Sequence, residues 1–218
     1  MKLAIFDLDN TLIAGDSDCL WGEYLIEIEK VDAEIYRQGH EQYYQDYLNG
    51  ELDIREFLEF QLKPLADNNM QVLLEWRKDY VEKKVKPLVL AQAQVLVEQH
   101  RDQGHALLII TATNRFLTEP IAAIFNIHDL IACEPEMING EYTGNVSGTP
   151  SYAEGKVTRL QRWLVAQPQQ PEETWFYSDS HNDIPLLSQV NHPVAVDPDD
   201  LLRKQAVTNG WQIISLRD

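Results

Sequence analysis

Leu3-Ala4-Ile5-Phe6-Asp7-Leu8-Asp9-Asn10-Thr11-Leu12 decides how the chain is read. Residues 3–6 are an unbroken apolar run without helical period, the mark of a buried strand, and Asp7 and Asp9 leave it together. Carboxylates at the end of a buried strand cost free energy unless they are paired, hydrogen-bonded or metal-bound. A hard divalent cation is the natural partner, and a polar loop leaving a strand is the plain alternative.

Working outward, the pattern after Ile13-Ala14-Gly15-Asp16-Ser17 turns helical. Trp21, Tyr24, Leu25 and Ile28 recur at helical spacing, as do Ile54, Phe57, Leu58, Leu62 and Leu65, and residues 71–86 make a further helix. At this spacing Trp21, Tyr24, Tyr43, Tyr44 and Tyr47 read as helix-packing core or as the floor of a pocket.

From Pro87 strands and helices alternate. Residues 87–103 predict a helix stopped by Gly104, and 105–110 a strand ending in Thr111-Ala112-Thr113-Asn114. A helix over 115–125 follows, with Pro120 expected to kink it or delay its regular start. A short strand over 127–133 precedes an Asn139-Gly140 hairpin signal. A helix over 153–166, a strand over 175–177 ending in Ser178-Asp179-Ser180-His181-Asn182-Asp183, and helix, strand, helix, strand over 184–214 complete the pattern. Such alternation predicts an α/β fold with a Rossmann-like parallel-sheet core over residues 1–14 and 87–218. Residues 15–86 are then an inserted all-helical cap.

The net charge of −17 disfavours nucleic-acid and anionic-membrane partners, which need clustered Lys and Arg. Cys19 and Cys133 are too few for a disulfide framework or a cysteine-rich zinc site. With no signal-peptide core and no 18-residue apolar run, a cytoplasmic location is expected.

In a parallel sheet ligands gather at the carboxyl ends of the strands. Three strands end in matching polar residues: Asp7 and Asp9, then Thr111, then Asp179 and Asp183. Asp7, Asp9 and Asp179 offer the oxygen ligands Mg2+ prefers. The Thr111 hydroxyl and the Lys156 ammonium suit a phosphate. A phosphomonoester would be attacked by Asp7, forming an aspartyl-phosphate, while Asp9 protonates the leaving oxygen and then activates water.

Asp7-Leu8-Asp9-Asn10-Thr11, Thr111 after an apolar strand, Lys156, and Asp179 through Asp183 resemble, in order, the four motifs of the haloacid dehalogenase superfamily. The helical insertion behind the first motif resembles the cap of its phosphoserine-phosphatase-like branch, subfamily IB. The resemblance implies a Mg2+-dependent phosphomonoester hydrolase acting on a small phosphorylated metabolite. It makes Asp7 nucleophile and metal ligand, and Asp9 acid/base with its backbone carbonyl on Mg2+. Asp179 becomes the third metal contact, and Asp183 either binds the metal through water or orients Lys156. Asn10, Thr111, Ala112 and Lys156 face the phosphoryl group, with Asn10 and Thr11 holding the loop.

Asp16 stands where those phosphatases carry an acid that contacts the substrate ammonium, and a helix N-cap is the competing reading. The arginine they place on a cap helix is missing from residues 57–63, although Arg55 lies nearby. An amino-alcohol phosphate such as histidinol phosphate fits that pattern better than phosphoserine. A phosphotransferase or mutase using the same aspartyl-phosphate and a non-catalytic phosphate-binding protein are the rival readings. Oligomeric state is not legible.

Overall fold

The computed structural model describes residues 1–217. Its seven strands are β1 (Lys2–Phe6), β2 (Ala106–Asn114), β3 (Asp129–Ile138), β4 (Glu141–Ser147), β5 (Glu173–Ser178), β6 (His192–Val196) and β7 (Gln212–Ile214). They form one sheet in the order β4-β3-β2-β1-β5-β6-β7, parallel except for the antiparallel β3–β4 pair. The opening strand is therefore central. Leu3 and Ile5 enter the apolar cluster on one face of the sheet, Ala4 and Phe6 the cluster on the other, and all four are fully buried. A strand buried on both faces must be apolar throughout, which is why residues 3–6 show no alternation.

The sheet helices are α5 (Ala91–Asp102), α6 (Arg115–Ile124), α7 (Glu154–Val165), α8 (Ile184–Leu187) and α9 (Asp200–Asn209). Between β1 and α5 lies the helical insertion: α1 (Ser17–Glu27), α2 (Ala33–Asn49), α3 (Ile54–Ala66) and α4 (Met70–Tyr80). Asp16, Asp32, Asp53 and Asn69 cap these four helices through their side chains. Trp21, Tyr24, Leu58, Leu62, Leu73 and Tyr80 pack into the same apolar cluster as Phe6, Ile109 and Phe116, so the insertion shares its core with one sheet face.

Where the chain enters and leaves the insertion, the two connections pair. The Ala14 amide donates to Leu88 O at 2.8 Å and the Leu90 amide to Leu12 O at 3.2 Å. A π-helical turn over Val81–Val85 takes the end of the helix expected over 71–86, and a 3₁₀ turn over Lys86–Leu88 takes the start of the one expected over 87–103, which begins only at Ala91. Such turns are frequent at functional hinges.

Three further expectations need correction. Helix α6 is continuous through Pro120. A proline leaves the carbonyl four residues before it without a helical donor, and Arg77 Nη1 supplies one to Phe116 O at 2.9 Å. Strand β3 runs to Ile138, because its second half pairs with β4 around the Asn139-Gly140 turn. Strand β2 continues to Asn114, with three of its residues, 111–113, set against Ala132 alone between the Ile110–Ile131 and Asn114–Cys133 pairs. That irregularity spans Thr111 and Thr113.

Candidate active site

Strands β1, β2 and β5 are neighbours at the sheet centre, where successive strands stop stepping to one side and begin stepping to the other. Their carboxyl ends open on a cleft of about 250 Å³ between the sheet and the helical insertion. Asp7, Asp9, Asn10, Asp16, Thr111, Ala112, Lys156, Asp179 and Asp183 all line it. Residues scattered over the whole chain thus meet at one place.

The Asp7 amide donates to Tyr177 O at 2.9 Å, which continues the β1–β5 ladder and fixes the backbone at the strand tip. Lys156 Nζ, 3% exposed as a residue, donates to Asp7 Oδ1 at 2.8 Å and to Asp183 Oδ2 at 2.7 Å. Asp183 Oδ2 also accepts from Ser178 Oγ at 2.7 Å. Asp183 precedes α8 but makes no side-chain cap to it, so its carboxylate is committed to Lys156 and Ser178.

Lys156 lies in the first turn of α7, the end of a helix that disfavours a cation. The preceding loop holds it there. Ser151 Oγ donates to Thr111 O at 2.5 Å, and Pro150 O lies so close to Gly155 that a Cβ there would come within 2.0 Å of it. Only glycine allows the loop to close over the helix start.

The DxD loop is tied on both sides. Asn10 adopts a left-handed backbone, φ 55°, and its carbonyl accepts from Arg217 Nη2 at 3.1 Å. Thr11 Oγ1 donates to Asp179 Oδ1 at 3.1 Å, linking the first and last motifs. Asp9 turns the other way: its Oδ1 accepts the Ser17 amide at 2.7 Å, and its Oδ2 lies 3.0 Å from Thr113 Oγ1 and 3.4 Å from Thr111 Oγ1.

These carboxyls crowd one another. Burial raises Asp7 to about 6 against the opposing pull of Lys156. Burial and the charge of Asp16 raise Asp9 to about 7, although the Ser17 contact lowers it. Burial, then Asp7 and Asp183, hold Asp179 well above the usual carboxylate range. Burial opposes the charge of Lys156, but Asp183 and Asp7 outweigh it and raise the ammonium above its ordinary value. Carboxyls at a strand-end site facing a single ammonium suit a further cation and a phosphate.

The chain belongs to the haloacid dehalogenase-like hydrolase family. The family model matches residues 4–188, from β1 to the end of α8. A histidinol-phosphatase from Neisseria meningitidis serogroup C is 43% identical over 99% of both chains. A solved protein of unknown function from Bordetella pertussis Tohama I is 39% identical, with a TM-score of 0.93 over 99% of this chain and 98% of its own. A substrate-bound phosphoserine phosphatase has the same fold, with a TM-score of 0.73 at 16% identity over 100% of this chain and 94% of its own.

The insertion supplies the outer wall of the cleft. Tyr43, Tyr44, Tyr47, Phe57 and His40 line it, whereas Trp21 and Tyr24 are core residues stacked at 5.6 Å. The one helical spacing thus served both uses. Tyr47 Oη lies 2.5 Å from Ser180 Oγ and joins α2 to the loop after β5. Asp16 caps α1, accepting the Cys19 amide at 2.8 Å, and also lines the cleft.

Arg55 lies outside the cleft, with its Nη2 on Gly148 O at 3.0 Å. Lys156 is the only Lys or Arg among the described residues lining the cleft. Asp18, Thr113 and Ser180 were not singled out from the sequence. Thr113 could have been, since it lies two positions after Thr111 on a strand, whereas Asp18 reads simply as an acid favoured in a helix's first turn.

Proposed function

We propose that this chain hydrolyses a small phosphomonoester with Mg2+ through an aspartyl-phosphate on Asp7. It is a phosphatase of the haloacid dehalogenase type. The supporting observation is the division of labour between its first two acids: Asp7 is bonded to Lys156, while Asp9 is held separately by the Ser17 amide and the strand-β2 hydroxyls.

An Asp7 carboxylate oxygen attacks phosphorus as the ester P–O bond breaks, and the departing oxygen takes its electron pair and a proton from Asp9. Water, losing a proton to Asp9, then attacks phosphorus and expels Asp7 with inorganic phosphate. Raised to about 7, Asp9 is matched to give and take a proton near neutrality. Lys156, kept charged by its two carboxylates, faces the phosphoryl oxygens together with Thr111 Oγ1 and the backbone at Asn10 and Ala112.

Asp7 and Asp179, with the Asp9 carbonyl, form the hard-oxygen set for Mg2+, and Asp183 acts by orienting Lys156. No three His, Cys, Asp or Glu side chains converge as a ligand cluster among the described residues. Two carboxylates and a carbonyl suit an ion that keeps several waters. Bound there, Mg2+ would offset the negative charge of the phosphoryl oxygens.

Residues 15–86 act as the cap, closing on the paired connections and selecting the leaving group. With Lys156 committed to Asp7 and Asp183, the cleft offers a carboxylate-bearing leaving group no second Lys or Arg among the described residues. Asp16 and the tyrosine-rich wall suit a cationic or ring-bearing group. The substrate is therefore an amino-alcohol phosphate, with histidinol phosphate favoured by the 43% identical relative. Initial rates on a panel of phosphate esters test this. Histidinol phosphate should exceed phosphoserine by at least about tenfold in kcat/KM, roughly one displaced charge contact. Phosphoserine turned over equally well would overturn the substrate assignment.

A further inference from the structure

Asp18 is 3% exposed, belongs to none of the four motifs, and carries no step in the reaction above. An acid in the first turn of a helix is ordinarily explained by the helix dipole, but this carboxyl is directed away from α1 and into the sheet. Its Oδ1 accepts from Asn114 Nδ2 at 3.2 Å, and its Oδ2 lies 3.1 Å from Thr113 Oγ1. The Asn114 amide cannot turn over without loss, because its Oδ1 caps α6 by accepting the Leu117 amide at 3.2 Å. Asp18 Oδ1 is therefore fixed as an acceptor, and Oδ2 is the oxygen presented to Thr113.

Thr113 Oγ1 stands between two carboxyls, 3.1 Å from Asp18 Oδ2 and 3.0 Å from Asp9 Oδ2. A hydroxyl carries one hydrogen, so Thr113 cannot donate to both at once. Where its hydrogen points depends on what Asp18 presents on its far side. The chain Asn114–Asp18–Thr113–Asp9 runs from the cap of α6, through the first turn of α1, to the acid/base carboxyl. It spans sheet and cap, and three of its members are buried.

We propose that Asp18 is a positioning residue for the hydrolysis, acting through Thr113 to orient the Asp9 carboxyl. A catalytic carboxyl must be held to within about half an ångström of its working geometry by neighbours that are themselves locked. Ser17 fixes one Asp9 oxygen, and the Asp18–Thr113 pair fixes the other. The role rests on the reading of Asp9 as acid/base.

Steady-state kinetics on a phosphomonoester that the parent enzyme turns over, with thermal melting of each variant, test it. Asp18→Ala and Thr113→Val should each lower kcat by about tenfold to a hundredfold, the cost of a misplaced catalytic group, with KM within about threefold of the parent. Because both changes break one chain, the double variant should fall no further than the worse single one, to within about threefold. Asp18→Asn should retain at least about a third of parental kcat. Its carbonyl can accept from Asn114 and its amide can donate to Thr113 Oγ1, so the single Thr113 hydrogen stays on Asp9. Thr113→Ser should likewise restore what Thr113→Val loses.

Parental kcat in Asp18→Ala or Thr113→Val, losses that multiply in the double variant, or Asp18→Asn as impaired as Asp18→Ala would overturn the role. Should Asp18→Ala fail to fold, Thr113→Val and Asp18→Asn decide by the same criteria. Asp9→Asn, measured beside them, separates the two levels. Parental kcat there removes the acid/base assignment itself, whereas loss there with parental kcat in Thr113→Val removes only the part given to Asp18.

Discussion

Asp183 Oδ2 lies 2.7 Å from Lys156 Nζ, and both side chains are almost wholly buried. The same ammonium reaches Asp7 Oδ1, so one cation holds the proposed nucleophile and its own anchor together. Lys156→Met removes that cation and leaves two buried carboxylates facing each other. At neutral pH the variant should lose on the order of 3–5 kcal/mol of stability, and at least about a thousandfold in kcat. Urea unfolding checks the first. The stability deficit should narrow at pH 5, below the value of about 6 to which burial raises Asp7, and a deficit independent of pH would count against the pairing.

Gly155→Ala tests the seating of Lys156 without touching a charge. The added methyl would meet Pro150 O, forcing the loop off the start of α7. A stability loss of about 2 kcal/mol or more and a fall in kcat of at least about tenfold are expected from overpacking and displaced contacts. Unchanged kinetics would mean that the loop does not seat the lysine.

A separate cluster between α5 and the sheet sets a pH dependence of stability. His100 Nδ1 lies 2.7 Å from His105 Nδ1, and its Nε2 2.7 Å from Tyr177 Oη. Burial, then His105, lowers His100 from the ordinary 6.5 to about 4. The unfolded chain therefore binds a proton between about pH 6.5 and 4 that the folded chain refuses, so this contribution is complete above 6.5 and is lost as pH falls. Other groups titrate in the same range, so the useful quantity is the stability gap between the parent and His100→Gln. That gap should shrink by about 1 kcal/mol from pH 7 to pH 5, allowing for solvent screening. A constant gap would contradict a neutral, buried His100.

Asp16→Asn addresses the cleft from the cap side. Asparagine still caps α1, so melting should shift little, while kcat/KM for an amine-bearing phosphate ester should fall by about tenfold relative to one without an amine. An equal fall for both esters would assign Asp16 to the helix alone.

The strand-end acids were legible because a fully buried strand must be apolar and its exit residues then stand out. Asp7, Asp9 and Asp179 follow that rule at the ends of β1 and β5, and Thr111 marks where the apolar run of β2 stops. What stayed hidden depends on partners distant in sequence. Pro120 passes without a kink because Arg77 takes the Phe116 carbonyl, and β3 outruns its apolar stretch because β4 pairs with it. Asp18 looks like any first-turn acid until Thr113 and Asn114 are seen against it. Local period places a residue on a helix, but not on the side of that helix that faces the cleft, which is why Trp21 and Tyr47 looked alike.

The most direct test of an aspartyl-phosphate on Asp7 is chemical trapping. The enzyme is mixed with 32P-labelled substrate and quenched in acid within its first turnover, and the acyl phosphate is then reduced with borohydride and located by peptide mass spectrometry. Homoserine at position 7, with acid-stable label that is absent from Asp7→Asn, is the expected result. Phosphate released at the parental rate by Asp7→Asn, with no label on the protein at any time point, would contradict the covalent route.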